Sequence, residues 1–275
     1  MSTTASPAPA QQGPDRYTIA APGGAAESVP ALGFTGVSLT FENGTRALQD
    51  IDFTVHTGEF VSLVGPSGCG KSTLLRLAAG FEGATDGTVR IASGRLGYVF
   101  QEATLLPWRS VLRNVELPAE LTGVDKSTRR AAARDAIERV GLAGFEKHKP
   151  AQLSGGMRMR ASIARALTAR PELFLFDEPF GALDEITRQR LNEEVGGLFR
   201  RDGFAGVFVT HSVAEAVFMS TRVIVMTGQP GRIRADIPVP LEFPRAPELR
   251  YTAEFTEIAG EISAAMRGAG QVAAA

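Results

Sequence analysis

Residues 63–73 read LVGPSGCGKST, with three glycines and one lysine in eleven positions. Bare backbone lets successive N–H groups converge on an anion that side chains would otherwise obstruct. Gly65, Pro66, Ser67, Gly68, Cys69, Gly70, Lys71 and Ser72 fit the spacing G-x-x-x-x-G-K-[ST], and Thr73 continues the run. In that pattern backbone N–H groups and a helix N-terminus hold a β-phosphate, Lys71 bridges the β- and γ-phosphates, and the Ser72 hydroxyl ligates Mg²⁺. Cys69 occupies a free position and reads as a small filler. About a hundred residues on, the apolar run LFLF leads straight into Asp177 and Glu178. Acids ending a buried strand at the sheet edge that holds the phosphate loop would put Asp177 beside Mg²⁺ and Glu178 toward the γ-phosphate, where it could polarise water. The plainer alternative is that both acids cap the next helix. A third stretch, QLSGGMRMR at 152–160, sets Ser154, Gly155 and Gly156 before a helical run, which makes a second anion-binding N-terminus. One nucleotide has no evident need for two such caps in one chain.

The elements that must position these groups follow from periodicity. GVSLTF, LQDIDFTV and GEFVSLVG read as strands closed by turn residues, and KSTLLRLAAG reads as a helix stopped by Gly80. Strand, glycine loop and helix are the order a phosphate loop requires. From about 102 to 170 the β pattern fades, and DKSTRRAAARDAIERVGL reads as a surface helix broken at Gly141, so a helical subdomain is expected there. ELFLFDE, AGVFVTH and TRVIVMTG then alternate with the helical EITRQRLNEEVGGLFRRD and SVAEAVFMS, which predicts an α/β fold with a mainly parallel sheet covered on both faces. No internal repeat is visible. Residues 1–30, rich in Ala, Pro, Gly, Ser, Thr and Gln, read as a disordered tail without the layout of a secretory signal.

The 275 residues, 44% apolar, suffice for one large domain or two small ones. Lys plus Arg (29) against Asp plus Glu (30) leaves a net charge of -1, so no overall field recruits nucleic acid or an anionic membrane. The single cysteine excludes an internal disulfide framework. No apolar run reaches the roughly 18–20 residues of a membrane-spanning helix. If the chain serves a membrane process, another chain does the spanning.

Together these motifs resemble the nucleotide-binding subunit of an ATP-binding cassette (ABC) transporter, over about residues 33–235. The resemblance implies a phosphate-loop fold of ABC type: a mainly parallel core sheet, an antiparallel β subdomain and an inserted helical subdomain, within an ATPase domain at 31–240 and before a short, partly helical tail at 241–275. It also resolves the second cap, because in that family the LSGG element of one subunit completes the phosphate-loop site of another, so ATP lies between two copies. Phe41 resembles the aromatic that stacks on adenine, although an aromatic in a strand is by default a core residue. Gln101 in YVFQEATLLPW resembles the glutamine that contacts Mg²⁺ and the attacking water. Asp184 in GALD resembles the acid of a loop that crosses the dimer interface, and His211 resembles the switch histidine at the γ-phosphate. Met157 and Met159 depart from the family's usual glutamines, and His56 and His148 match none of its elements and read as surface or packing residues.

The resemblance implies an ATPase, with ATP and Mg²⁺ as cofactors, that closes as a homodimer and drives transmembrane permease subunits from the cytoplasmic face of the membrane. PGRI at 230–233 and LLPWRSVLRNVELP are similar to the nitrate, sulfonate and taurine importer group, which works with an extracytoplasmic solute-binding protein; import of a pyrimidine vitamin precursor is the alternative. Leu105, Leu106, Pro107 and Trp108 form an apolar cluster that either grips a membrane subunit or is ordinary core. A soluble cassette ATPase of DNA repair or translation would usually add coiled-coil arms, zinc modules or a second cassette, none of which is visible. A kinase or GTPase would not need LSGGM.

Overall fold

The computed structural model describes residues 17–19, 30–92 and 94–271. Two sheets organise the chain. Tyr17–Ile19 (β1), Leu32–Thr40 (β2), Arg46–Val55 (β3) and Asp86–Ile91 (β5) form a four-stranded sheet ordered β1-β5-β2-β3, antiparallel except where β1 runs parallel to β5. Phe60–Val64 (β4), Leu96–Val99 (β6), Leu173–Asp177 (β7), Ala205–Val209 (β8), Arg222–Met226 (β9) and Ile233–Pro238 (β10) form the second sheet, ordered β10-β9-β4-β8-β7-β6 and parallel apart from β10.

The parallel sheet is apolar on both faces because it divides two cores. Along β7, Leu173 and Leu175 point to one core while Phe174 and Phe176 point to the other; β9 alternates likewise, with Ile224 and Met226 opposite Val223 and Val225. This period of two with both sets buried is why LFLF carries no polar residue. The first core also takes β2, β3 and the apolar face of α1 (Lys71–Ala78), through Leu74, Leu75, Leu77 and Ala78. The second holds the ring cluster of Phe60, Phe174, Phe176, Phe180, Phe199, Phe204 and Phe208, covered by helices.

The region expected to be helical contains Val111–Val115 (α2), Leu117–Leu121 (α3), Lys126–Arg139 (α4) and Gly155–Leu167 (α5). Asp125 caps α4, accepting from the backbone N–H groups of Ser127 and Thr128, and the left-handed Gly141 follows its end. Glu185–Asp202 (α6) and Val213–Met219 (α7) cover the sheet, and Ala253–Gln271 (α8) supplies the helical part of the C-terminal segment. Most of the tail expected at 1–30 lies outside the described residues. Its Tyr17–Ile19 segment needs correcting, since there the backbone is a strand that finds its partners along Val89–Ile91. Among the described residues no helix is long and apolar enough to cross a membrane.

Candidate functional site

Register gathers the site at one sheet edge. Leu63 pairs with Val209, Asp177 also pairs with Val209, and Val64 pairs with Val225. The phosphate loop after β4, the acids ending β7, His211 after β8 and the loop after β9 therefore emerge side by side, outside the carboxyl ends of parallel strands where open α/β sheets place their ligands.

The loop turns into α1 through Gly70, whose φ of 95° is left-handed and where a Cβ would lie 2.5 Å from Leu48 Cδ2. Lys71 is buried and its Nζ donates to the carbonyls of Gly65 (3.0 Å) and Pro66 (3.1 Å), so the cation is held within the loop. Cys69 is fully buried, which raises its thiol pKa and fits the filler reading. Ser72 Oγ donates to Asp177 Oδ1 at 2.7 Å, joining the two motifs across 105 residues. Burial pushes the Asp177 carboxyl above its ordinary range, against the pull of hydrogen bonds from Ser72 and Tyr98. Tyr98 was not identified from sequence: from the edge strand β6 its hydroxyl donates to Asp177 Oδ2 at 3.3 Å.

Glu178 turns the corner out of β7 with φ 44°, a left-handed conformation unusual for a glutamate. Its N–H donates to the Val209 carbonyl (3.1 Å) and its carbonyl accepts from Gly181 (3.2 Å), and these bonds fix the bend. The bend brings Glu178 Oε2 to 3.6 Å from His211 Nδ1, and the imidazole is more than half exposed. A cavity of about 230 Å³ is lined by Phe41, Ser67, Lys71, Ser72, Thr73 and Glu178. Phe41 lies just past the end of β2 and is 40% exposed, so it does not serve as core.

Gln229 also lines this cavity, and sequence reasoning passed over it. PGRI held the signal. Gly231 is stitched into β3 by N–H donation to the Ala47 carbonyl and acceptance from the Gln49 N–H, both 2.9 Å. A Cβ on Gly231 would lie 2.0 Å from the Cys69 carbonyl oxygen, so the loop after β9 is packed directly on the phosphate loop.

Ser154 caps α5, its hydroxyl accepting from the Met157 N–H at 3.2 Å, and the residue is exposed. Neither it nor Gly155 or Gly156 lines the phosphate-loop cavity; Gly155 and Gln101 instead line a separate cavity of about 390 Å³ with Leu183 and Pro179. Asp184 caps α6, and the backbone N–H and side chain of Thr187 hold its carboxyl below the ordinary range. Trp108 is 69% exposed, whereas Leu105 is partly buried and packs on the helix-covered core, so the cluster divides between the two readings. Beyond Thr104 a groove of about 360 Å³ is lined by Tyr98, Phe100, Leu117 and Leu121. His148 packs on the Phe145 ring and His56 lies near Thr54 Oγ1, both away from the site.

Fold and edge geometry define a phosphate-loop nucleotide-binding protein with a second, outward-facing helix cap. The sequence profile described as ABC transporter matches residues 48–181. The aliphatic sulfonates import ATP-binding protein SsuB of Bacillus licheniformis is 43% identical over 209 residues, 74% of this chain and 81% of that protein. The taurine import ATP-binding protein TauB of Shigella boydii is 43% identical over 203 residues, 71% of this chain and 80% of that protein. A solved dimeric ATP-binding cassette in a post-hydrolysis state, bound to ADP and Pi, is 32% identical with a TM-score of 0.67, covering 77% of this chain and all of that one. The chain belongs to the ABC transporter ATP-binding family.

Proposed function

We propose that the chain is the ATP-hydrolysing subunit of an importer, working as a dimer on transmembrane permease subunits at the cytoplasmic face of the membrane. The observation that carries this reading is the outward cap: Ser154 and its two glycines stand at an exposed helix N-terminus outside their own chain's phosphate-loop cavity. A second copy would bring them to that cavity, and the relative solved as a dimer supports the arrangement.

In the proposed site, backbone N–H groups of the loop and Lys71 hold the phosphates, Phe41 stacks on the base, and Asp184 acts across the dimer seam. The Ser72 hydroxyl and the Asp177 carboxylate fit Mg²⁺, being hard oxygen donors set 2.7 Å apart. The ion would neutralise phosphate charge as it develops. Glu178 is the base that takes a proton from the attacking water, and His211, 3.6 Å away, holds the γ-phosphate side of the site. Gln101, on the seam between this edge and α5, links nucleotide state to the Leu105–Trp108 segment and the adjacent groove, which receive the permease.

Both named relatives are ATP-binding proteins of sulfonate import, taurine being an aminosulfonate, and this favours a small sulfonate-like anion as the solute. Reconstitution with the cognate permease and binding protein in vesicles tests the assignment. Sulfonate-stimulated ATP hydrolysis is expected; a stable complex with nucleic acid or ribosomes, and none with a membrane protein, would overturn it.

A further inference from the structure

Behind the site lies a buried charge that the proposed chemistry does not use. Glu215, on the first turn of α7, is 7% exposed. Its Oε2 accepts from the Thr210 hydroxyl, whose oxygen also accepts from the Ser212 N–H at 3.0 Å. The Ser212 hydroxyl in turn accepts from the Glu215 N–H at 3.3 Å. Residues 210 and 212 flank His211, so a hydroxyl on each side of the histidine bonds to Glu215, while the Thr210 N–H is also held by the Leu63 carbonyl.

The other carboxylate oxygen, Oε1, faces Arg188 Nε at 4.0 Å, and the buried Asn192 of the same helix and His211 itself also act on the carboxylate. Arg188 belongs to α6. Its Nη2 donates to the Leu183 carbonyl at 2.8 Å, and its Nη1 lies 3.5 Å from Glu185 Oε2. Leu183 and Glu185 are the neighbours of Asp184, and Leu183 lines the cavity shared with Gly155. Burial raises the Glu215 carboxyl pKa, and the Thr210 hydroxyl and Arg188 oppose that shift. The carboxylate and the guanidinium thus face each other between α6 and α7, and each is hydrogen-bonded to a different loop.

We propose that Arg188 and Glu215 are positioning residues that lock the loop carrying Asp184 to the loop carrying His211, so that the dimer-seam loop and the γ-phosphate side of the site move as one body. This rests on the nucleotide-site reading above. Movement of the 181–184 loop would pass through Arg188 to Glu215 and on through Thr210 to the backbone at His211. Since neither residue touches nucleotide, ATP binding should be insensitive to them and turnover sensitive.

Glu215→Gln keeps an acceptor for Thr210 and removes the charge; Arg188→Met removes the guanidinium at a partly exposed position while keeping an unbranched side chain. Each is expected to lower kcat about tenfold with the KM for ATP within about twofold, and the double variant to be no slower than the singles, because both break one link. Multiplying losses, a rise in KM with kcat unchanged, or a lowered Tm with kcat intact where the protein is folded would overturn the proposal. His211→Ala separates the two readings. Wild-type hydrolysis by that variant would remove the site reading and this inference with it, whereas an impaired His211→Ala beside wild-type rates for both other variants would overturn the inference alone.

Discussion

Gly231→Ala tests how tightly the loop after β9 is bound to nucleotide geometry. The added Cβ would meet a backbone oxygen, Cys69 O, at 2.0 Å, where ordinary contact between carbon and oxygen needs about 3.3 Å. No rotamer change relieves this clash, so the loop must withdraw by roughly 1.3 Å. The Gly231 N–H to Ala47 and Gln49 N–H to Gly231 hydrogen bonds, 2.9 Å each, would be broken or stretched. At about 1 kcal/mol per bond, with 1–3 kcal/mol for forced repacking, the loss is about 3–5 kcal/mol. For a chain of this size that corresponds to a fall in Tm of roughly 6–20 °C. Nucleotide affinity should fall as well, by about tenfold or more, since Gln229 lines the cavity on the same loop. Calorimetric melting without nucleotide and titration with a fluorescent ATP analogue measure the two effects. Gly83→Ala is the control: a Cβ there meets nothing within 4 Å and should change stability by less than about 0.5 kcal/mol. A Gly231→Ala protein melting within about 1 °C of wild type and binding nucleotide equally well would refute the reasoning.

Glu178→Gln should bind ATP yet hydrolyse it about 10²–10⁴-fold more slowly, with an ATP-dependent dimer accumulating on size exclusion; an undiminished rate would remove Glu178 as the base. Lys71→Ala and Ser154→Ala chains should each be poorly active alone, but mixing them should restore activity, because a mixed dimer holds one intact site and one doubly damaged site. Activity no higher than that of either chain alone would count against composite sites. Trp108→Ala should leave the hydrolysis of the isolated subunit within about twofold while abolishing stimulation by permease and solute, as truncation of an exposed anchor at an interface does. Stimulation equal to wild type would move the docking face elsewhere.

The parts of this protein legible in its sequence are those whose chemistry is local. Eight consecutive residues define the phosphate loop, two adjacent acids end an apolar strand, and a serine with two glycines opens a helix; each lies where periodicity put it. EITRQRLNEEVGGLFRRD forms α6 from its first residue to its last. What escaped depends on pairing between distant segments. Tyr98 reads as a strand aromatic until sheet order places β6 beside β7 and its hydroxyl beside Asp177. Gly231 reads as a turn glycine until the loop it belongs to is seen pressed on Cys69. Whether Phe41 is core depended on where β2 stops, and Thr40 being its last residue is a boundary of the kind that propensity sets poorly. The Tyr17–Ile19 strand lies in a composition that signals disorder, since three residues borrowing the free edge of β5 leave no trace in residue statistics.

The exposed position of Trp108 makes the molecule its own optical reporter. It is the single tryptophan of the chain, at 69% exposure, and the rings packed in the helix-covered core are phenylalanines that contribute little emission of their own. Intrinsic fluorescence excited selectively at the indole therefore watches one patch of surface. Emission should begin red, as from a water-bathed indole, and shift blue when the Leu105–Trp108 segment is covered, giving a label-free signal of docking in which melting of the phenylalanine core is not mistaken for engagement.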